Sequence, residues 1–197
     1  MGILNWPSET VLKNLNRFLL VIIIAVNGYV LVMPLLPKVN YEVKKRVTKP
    51  VRVDPARKET VASIDRSRNH LILPTIQLDE PVYDGVSSYT VNKGIWRRPN
   101  TSTPDRGGNT VLVGHRFTYN GAAVFYNLDK LGNNDDIYLI YSQKVYHYKV
   151  ALIQIVSPNN TQVEAPSAGN RLTIYTCTPL LTAKNRLVYI ADLIEVN

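Results

Sequence analysis

One apolar run divides this chain before its fold can be considered. Phe18 to Leu36 reads FLLVIIIAVNGYVLVMPLL and holds no formally charged side chain. A helix needs roughly 20 apolar residues to cross a bilayer, and this run has about that length. Asn27 and Gly28 interrupt it, and Pro34 is expected to mark its outer end. Lys13 and Arg17 flank it upstream. It is long for a signal peptide and has no clear small-x-small cleavage site, so the expectation is an uncleaved anchor. The chain then divides into an N-terminal segment (1–17), an anchor (18–37), a basic juxtamembrane linker (38–68) and a folded domain (69–197).

The net charge of +8 belongs to one of these pieces. Ten basic and four acidic residues fall in 38–68, whereas eleven and ten fall in 69–197. The excess therefore lies beside the apolar run, where it suits anionic lipid head groups or wall polymer. The folded part is near neutral and has no basic stripe with interleaved aromatics, which argues against nucleic acid as a partner. With Cys177 as the single cysteine, an intramolecular disulfide framework and a multi-cysteine metal site are both excluded. No acidic cluster has calcium-ligand spacing.

From His70 onward the texture is that of many short strands. His70–Ile76, Pro81–Val86, Thr110–His115, Leu172–Thr176 and Leu187–Val196 read as strands. Asp136–Tyr141 and Val145–Val156 alternate like a hairpin about Ser142-Gln143-Lys144. Tyr89–Trp96 has room for a helical turn. Ala122–Leu131 has helical spacing, with Val124, Leu128 and Leu131 on one face. Pro99–Asn109 and Ser157–Asn170 read as loops. Such a set, all-β with few helices, predicts a closed or nearly closed β-barrel.

Three polar residues stand at strand edges. Cys177 ends Leu172-Thr173-Ile174-Tyr175-Thr176, His115 ends Val111-Leu112-Val113-Gly114, and Arg186 opens Leu187-Val188-Tyr189-Ile190. A thiol attacks as its thiolate, and a nearby imidazole is the usual means of supplying that form. Arginine stays protonated, so it acts as a hydrogen-bond donor to a carbonyl or oxyanion rather than as a base. Each also has an inert reading: a buried thiol, a satisfied strand-end histidine, an arginine paired with Asp192. Thr176 fits pure scaffold equally well, and Arg116 fits either a solvated residue or one that shapes the cleft. Tyr119, Tyr126, Tyr141, Tyr146 and Tyr148 are expected on the barrel surface. His147 is expected to pack or face solvent, and His70 is a weaker candidate than His115.

The combination resembles the sortases, bacterial transpeptidases that fix proteins to the cell wall. The resemblance spans roughly 69–197 plus the N-terminal anchor. Thr173-Ile174-Tyr175-Thr176-Cys177 is similar to the family's T-L-x-T-C, with isoleucine in the leucine place. Arg186-Leu187-Val188-Tyr189 follows at the family's spacing, and Gly114-His115-Arg116 resembles its G-H-R segment. Tyr119 through Leu131 is similar to its G-x-x-F-x-x-L-x-x-L helix. Thr182 to Leu187 looks most like class E, with class D the near alternative.

The resemblance implies an eight-stranded sortase-type barrel with a few short helices behind a single transmembrane helix. It implies catalysis by Cys177, His115 and Arg186, with Thr176, Arg116 and Tyr119 at the substrate. The substrate would be a surface protein bearing an L-P-x-T-G or L-A-x-T-G sorting signal, cleaved after threonine through a thioester. The acyl group would pass to an amine, either a lipid-linked peptidoglycan precursor or a pilin lysine. No metal or organic cofactor is implied. Hydrolysis of the same signal, and a non-catalytic tethered β module, are the alternative functions. The resemblance also implies an extracellular catalytic domain. The positive-inside rule alone gives the opposite orientation, because Lys38, Lys44, Lys45, Arg46, Lys49 and Arg52 all lie downstream of the anchor.

Overall fold

The apolar run winds into a helix, α1, over Glu9–Val32. In the computed structural model the described residues are 8–33, 64–118 and 121–197. The chain divides into two units, residues 1–48 and 49–197. In the first, α1 buries no side chain and is long and apolar enough to cross a membrane. It begins nine residues before Phe18, with a Glu9–Lys13 ion pair at i,i+4 spacing (3.5 Å) on that added turn. The Asn27 amide donates back to the Ile23 carbonyl at 2.7 Å. That return bond satisfies part of a polar group that would be costly in hydrocarbon. Pro34 and most of the linker lie outside the described residues.

The strand-like segments of the second unit close into a barrel. Its strands are β1 (His70–Leu73), β2 (Leu78–Asp84), β3 (Ile95–Arg97), β4 (Asn109–Val113), β7 (Asp136–Tyr141), β8 (Lys144–Val156), β9 (Arg171–Thr178) and β10 (Asn185–Val196). Their spatial order is β1-β2-β3-β4-β9-β10-β8-β7, and β7 pairs back onto β1. A separate two-stranded ribbon joins β5 (Phe117–Thr118) to β6 (Gly121–Ala122). The eight-stranded barrel expected from the sequence is the one observed.

Alternation along the strands decides what fills it. Leu71, Leu73, Ile95, Leu112, Leu139, Leu172, Ile174 and Tyr189 point into one continuous core. The intervening Ile72, Tyr138, Ile140 and Val145 form a second buried cluster, against which Ile64 packs. Tyr146 and Tyr148 were expected on the surface, but both belong to the main core. The Tyr148 hydroxyl reaches Asn170 Oδ1 at 2.9 Å, which lets a large amphipathic ring be buried there. Burial pushes that phenol above its ordinary range. His147, between them, points the other way. It stacks on Tyr138 at 4.6 Å and bonds Asp136 at 2.8 Å, as a packing residue would.

Two further segments differ from expectation. Ala122–Leu131 is not an α-helix: after β6 it runs through turns into a 3-10 helix over Leu128–Lys130. Its first donors bond across to the histidine segment, Ala123 N to Arg116 O and Phe125 N to His115 O. The rest close three-residue turns, so Phe125, Leu128 and Leu131 are buried at a spacing of three. The other surprise is β3, which is too short for any periodicity to reveal. It is held by β2 on one side and β4 on the other, and by Trp96 Nε1 donating to Gly85 O at 2.9 Å.

Candidate active site

The register of three adjacent strands builds the site. β10 runs antiparallel to β9 with Arg186 directly opposite Cys177. Directly opposed residues share a face, their Cβ atoms about 5 Å apart. On the other side β4 runs parallel to β9, with Val113 opposite Tyr175. Two residues further along each strand, His115 comes level with Cys177. Leu172 and Ile174 of β9, Leu112 of β4 and Leu187 and Tyr189 of β10 all enter the core. By alternation Cys177, His115 and Arg186 therefore leave the barrel on its outer face, with the thiol on the middle strand. All three are half-buried, open enough to meet a substrate. Strand register sets the three side by side.

β4 ends at Val113, so other contacts must hold His115 in place. The Thr176 hydroxyl donates to the Gly114 carbonyl at 2.8 Å, tying the residue before His115 to the residue before Cys177. Thr176 is buried and faces inward. Gly114 has no room for a side chain: a Cβ there would lie 2.6 Å from Phe125 Cδ2 and 2.7 Å from Val124 Cγ1. Arg116 is also buried. Its Nη1 donates to Thr178 Oγ1 (3.1 Å), its Nε to Tyr126 O (3.3 Å), and its Nη2 pairs with Asp129 (2.7 Å). It braces three segments beneath the site. Tyr119 lies outside the described residues.

Arg186 is not paired with Asp192, which faces Arg171 at 3.8 Å. Its Nη1 donates to the carbonyls of Ala183 (3.2 Å) and Asn185 (3.1 Å). One face of the guanidinium is thus held by its own loop, and its remaining donors can serve a ligand. Two histidines outside the site have structural partners. His70 is buried between Asp79 (2.5 Å) and the Asp65 carbonyl (2.7 Å), and His147 is engaged as described.

Two contributors were not legible in the sequence. Asn92, on the 3-10 helix Ser88–Lys93, places its Oδ1 2.9 Å from His115 Nε2. Glu164, on the β8–β9 connection, accepts from Arg98 Nε (3.0 and 3.2 Å) and from the Tyr175 hydroxyl (2.5 Å). Asn109 Nδ2 donates to the carbonyls of Val163 and Ala165. Tyr175 and Asn109 share the outer face with Cys177, so the connection is fastened over the same surface. Burial, and then the bond to Glu164, push the Tyr175 phenol above its ordinary range. It therefore stays a neutral donor.

The chain matches the sortase domain family over residues 71–194. It is 30% identical over 141 residues to sortase SrtE1 of Streptomyces coelicolor, covering 64% of this chain and 40% of that protein. It is 27% identical over 110 residues to sortase D of Bacillus subtilis, covering 55% of this chain and 53% of that protein. The chain thus spans about half or less of the length of these curated relatives. Among solved structures, the crystal structure of S. coelicolor sortase E1 with a tripeptide in its active site aligns with a TM-score of 0.59 at 29% identity. That alignment covers 66% of this chain and 89% of that one. Sortase A from Corynebacterium diphtheriae aligns with a TM-score of 0.60 at 26% identity, covering 78% and 72%. A domain match across more than half the chain, on the same closed barrel, makes this protein a member of the sortase family.

Proposed function

We propose that the protein is a membrane-anchored cysteine transpeptidase. The observation that carries this is the lateral order of His115, two residues beyond β4, Cys177 on β9 and Arg186 on β10, set by the pairing of those strands. The Cys177 thiolate attacks the threonine carbonyl of an L-P-x-T-G or L-A-x-T-G signal. The C–N bond to glycine breaks, a thioester forms, and the His115 imidazolium gives its proton to the leaving amine. Arg186 donates to the developing oxyanion. An incoming amine then attacks the thioester, loses its proton to His115, and releases the thiolate. The acceptor is a lipid-linked peptidoglycan precursor or a pilin lysine. Thr176 and Arg116 act from beneath, holding strand ends in register rather than touching the peptide.

The domain plan follows: residues 1–17 cytoplasmic, 18–37 in the bilayer, 38–68 against anionic lipid, and 69–197 extracellular. The test uses the full chain in detergent micelles, a sorting-signal peptide and an amine, with products read by mass spectrometry. Transfer is expected in the wild type and none in Cys177→Ala. His115→Ala should lose about 10²- to 10⁴-fold and Arg186→Ala about 10²- to 10³-fold. Full activity in Cys177→Ala would end the proposal. A product ratio unchanged by added amine would make the enzyme a hydrolase.

A further inference from the structure

We infer that α1 is a pairing surface for a second copy of this chain, the two Asn27 side chains hydrogen-bonding each other at the middle of the bilayer. The inference rests on the reading of α1 as a membrane span, not on the catalytic reading. Asn27 is central in the apolar run, with nine residues of Phe18–Leu36 on either side. At 1.5 Å per residue it lies about 14 Å from both ends, near the midplane of a hydrocarbon core about 30 Å thick. Its side chain is too short to reach water from there, and an unsatisfied polar group is costly in hydrocarbon. The amide carries two N–H donors and an acceptor oxygen. One N–H bonds back to the Ile23 carbonyl at 2.7 Å. Among the described residues, the second N–H and Oδ1 have no partner.

The unused donor and acceptor of one amide complement those of another copy. Two copies of one chain insert the same way round, so their Asn27 residues come to the same depth. A parallel pair about a twofold axis then closes two bonds, each N–H donating to the other amide's Oδ1. Any other partner needs a polar group of its own at that depth. The helix is shaped for the contact. Leu20, Ile24, Asn27 and Leu31 follow a four-three-four spacing and lie on one stripe. All four are exposed, and α1 buries no side chain. Gly28 borders the stripe beside Asn27, and a Cβ there would meet nothing within 4 Å. A residue without a side chain at that point lets a second backbone come close. An asparagine on such a stripe also fixes the register, since only the aligned pair satisfies both amides.

The test uses the full-length chain in phosphatidylcholine vesicles, carrying a donor or an acceptor dye on a C-terminal tag, with Cys177 left unlabelled. Flotation with the vesicles reports the span, and energy transfer between dyes reports pairing. Neither readout needs turnover or a sorting signal. Wild-type transfer should exceed the chance level of freely mixed labels, rise linearly with the acceptor fraction, and fall when unlabelled chain is added. Asn27→Leu, similar in volume but without the amide, should weaken association about three- to thirtyfold. Asn27→Gln, which keeps donor and acceptor, should retain most of it, and Gly28→Leu should weaken it by crowding the stripe. A wild type that floats but gives only chance-level transfer overturns the proposal and leaves the anchor standing. Equal transfer in Asn27→Leu also overturns it, because the contact then lies elsewhere in the chain. A chain that does not float removes the anchor and the proposal together.

Discussion

Thr176 Oγ1 and the Gly114 carbonyl, 62 residues apart in sequence, meet at 2.8 Å in a buried place. Thr176→Val keeps the shape and removes the hydroxyl. The expected cost is about 1–3 kcal/mol, because a buried acceptor loses its donor. The same change loosens a side-chain tie between the segments that carry the thiol and the imidazole, so kcat should fall while Thr176→Ser stays near wild type. Thermal unfolding and steady-state kinetics on the same samples check both parts. Arg116 teaches the related lesson that a charged residue next to a reactive one can be a brace. Its three partners, Thr178, Tyr126 and Asp129, engage it in a buried place. The sequence could place Arg116 beside His115 but could not say which way it pointed. Tertiary contacts decide that, because β4 ends at Val113, before either residue.

The connection between β8 and β9 is held by side chains on or next to other strands. Its 3-10 turn, Thr161–Glu164, is fastened by Glu164 to Arg98 and Tyr175, and Arg98 lies 4.9 Å above the Trp96 ring. Glu164→Gln removes the charge that makes those bonds strong. Residues 157–170 should then exchange amide hydrogen faster. KM for the peptide should rise about fivefold with kcat little changed, because the loop is fastened over the face that carries Cys177 but holds no reacting atom. At the β7–β8 hairpin, burial opposes ionisation of Asp136. The bonds from Lys149 and His147 outweigh it and hold the carboxyl below its ordinary value. A depressed carboxylate stabilises the fold above its unfolded pKa and loses that contribution as pH falls through the folded value. Asp136→Asn should therefore cost about 1–2 kcal/mol at neutral pH, and the gap should close below about pH 4. Chemical denaturation across that range measures it. The same hairpin turns at Ser142 and Gln143, both at positive φ (48° and 65°), in the primed geometry that two-residue loops need.

At the scale of the whole molecule, charge and apolar length give conflicting orientations. The basic residues after the apolar helix favour a cytoplasmic domain, whereas the action on surface proteins that we propose needs an external one. Protease added to intact cells should remove a C-terminal tag on the extracellular reading, and a tag surviving until the cells are lysed would reverse it. The apolar run, the seven longer strands and the three strand-edge residues were all legible in the sequence. Each rests on local order, either a run of one character, a period of two, or a residue beside a strand end. The three-residue β3 and the 3-10 course of 122–131 were not legible. The first is defined by its two neighbours and the second by donors that bond across to residues 115 and 116. The sequence alone also supplied a thiol, an imidazole and a guanidinium, because covalent order puts each at the end of its own strand. That they lie side by side, with Asn92 behind the ring and Thr176 and Arg116 beneath, was decided by tertiary structure. Parallel pairing of β4 with β9 and antiparallel pairing of β10 with β9 set the register, and register depends on which strands meet rather than on any one strand's residues.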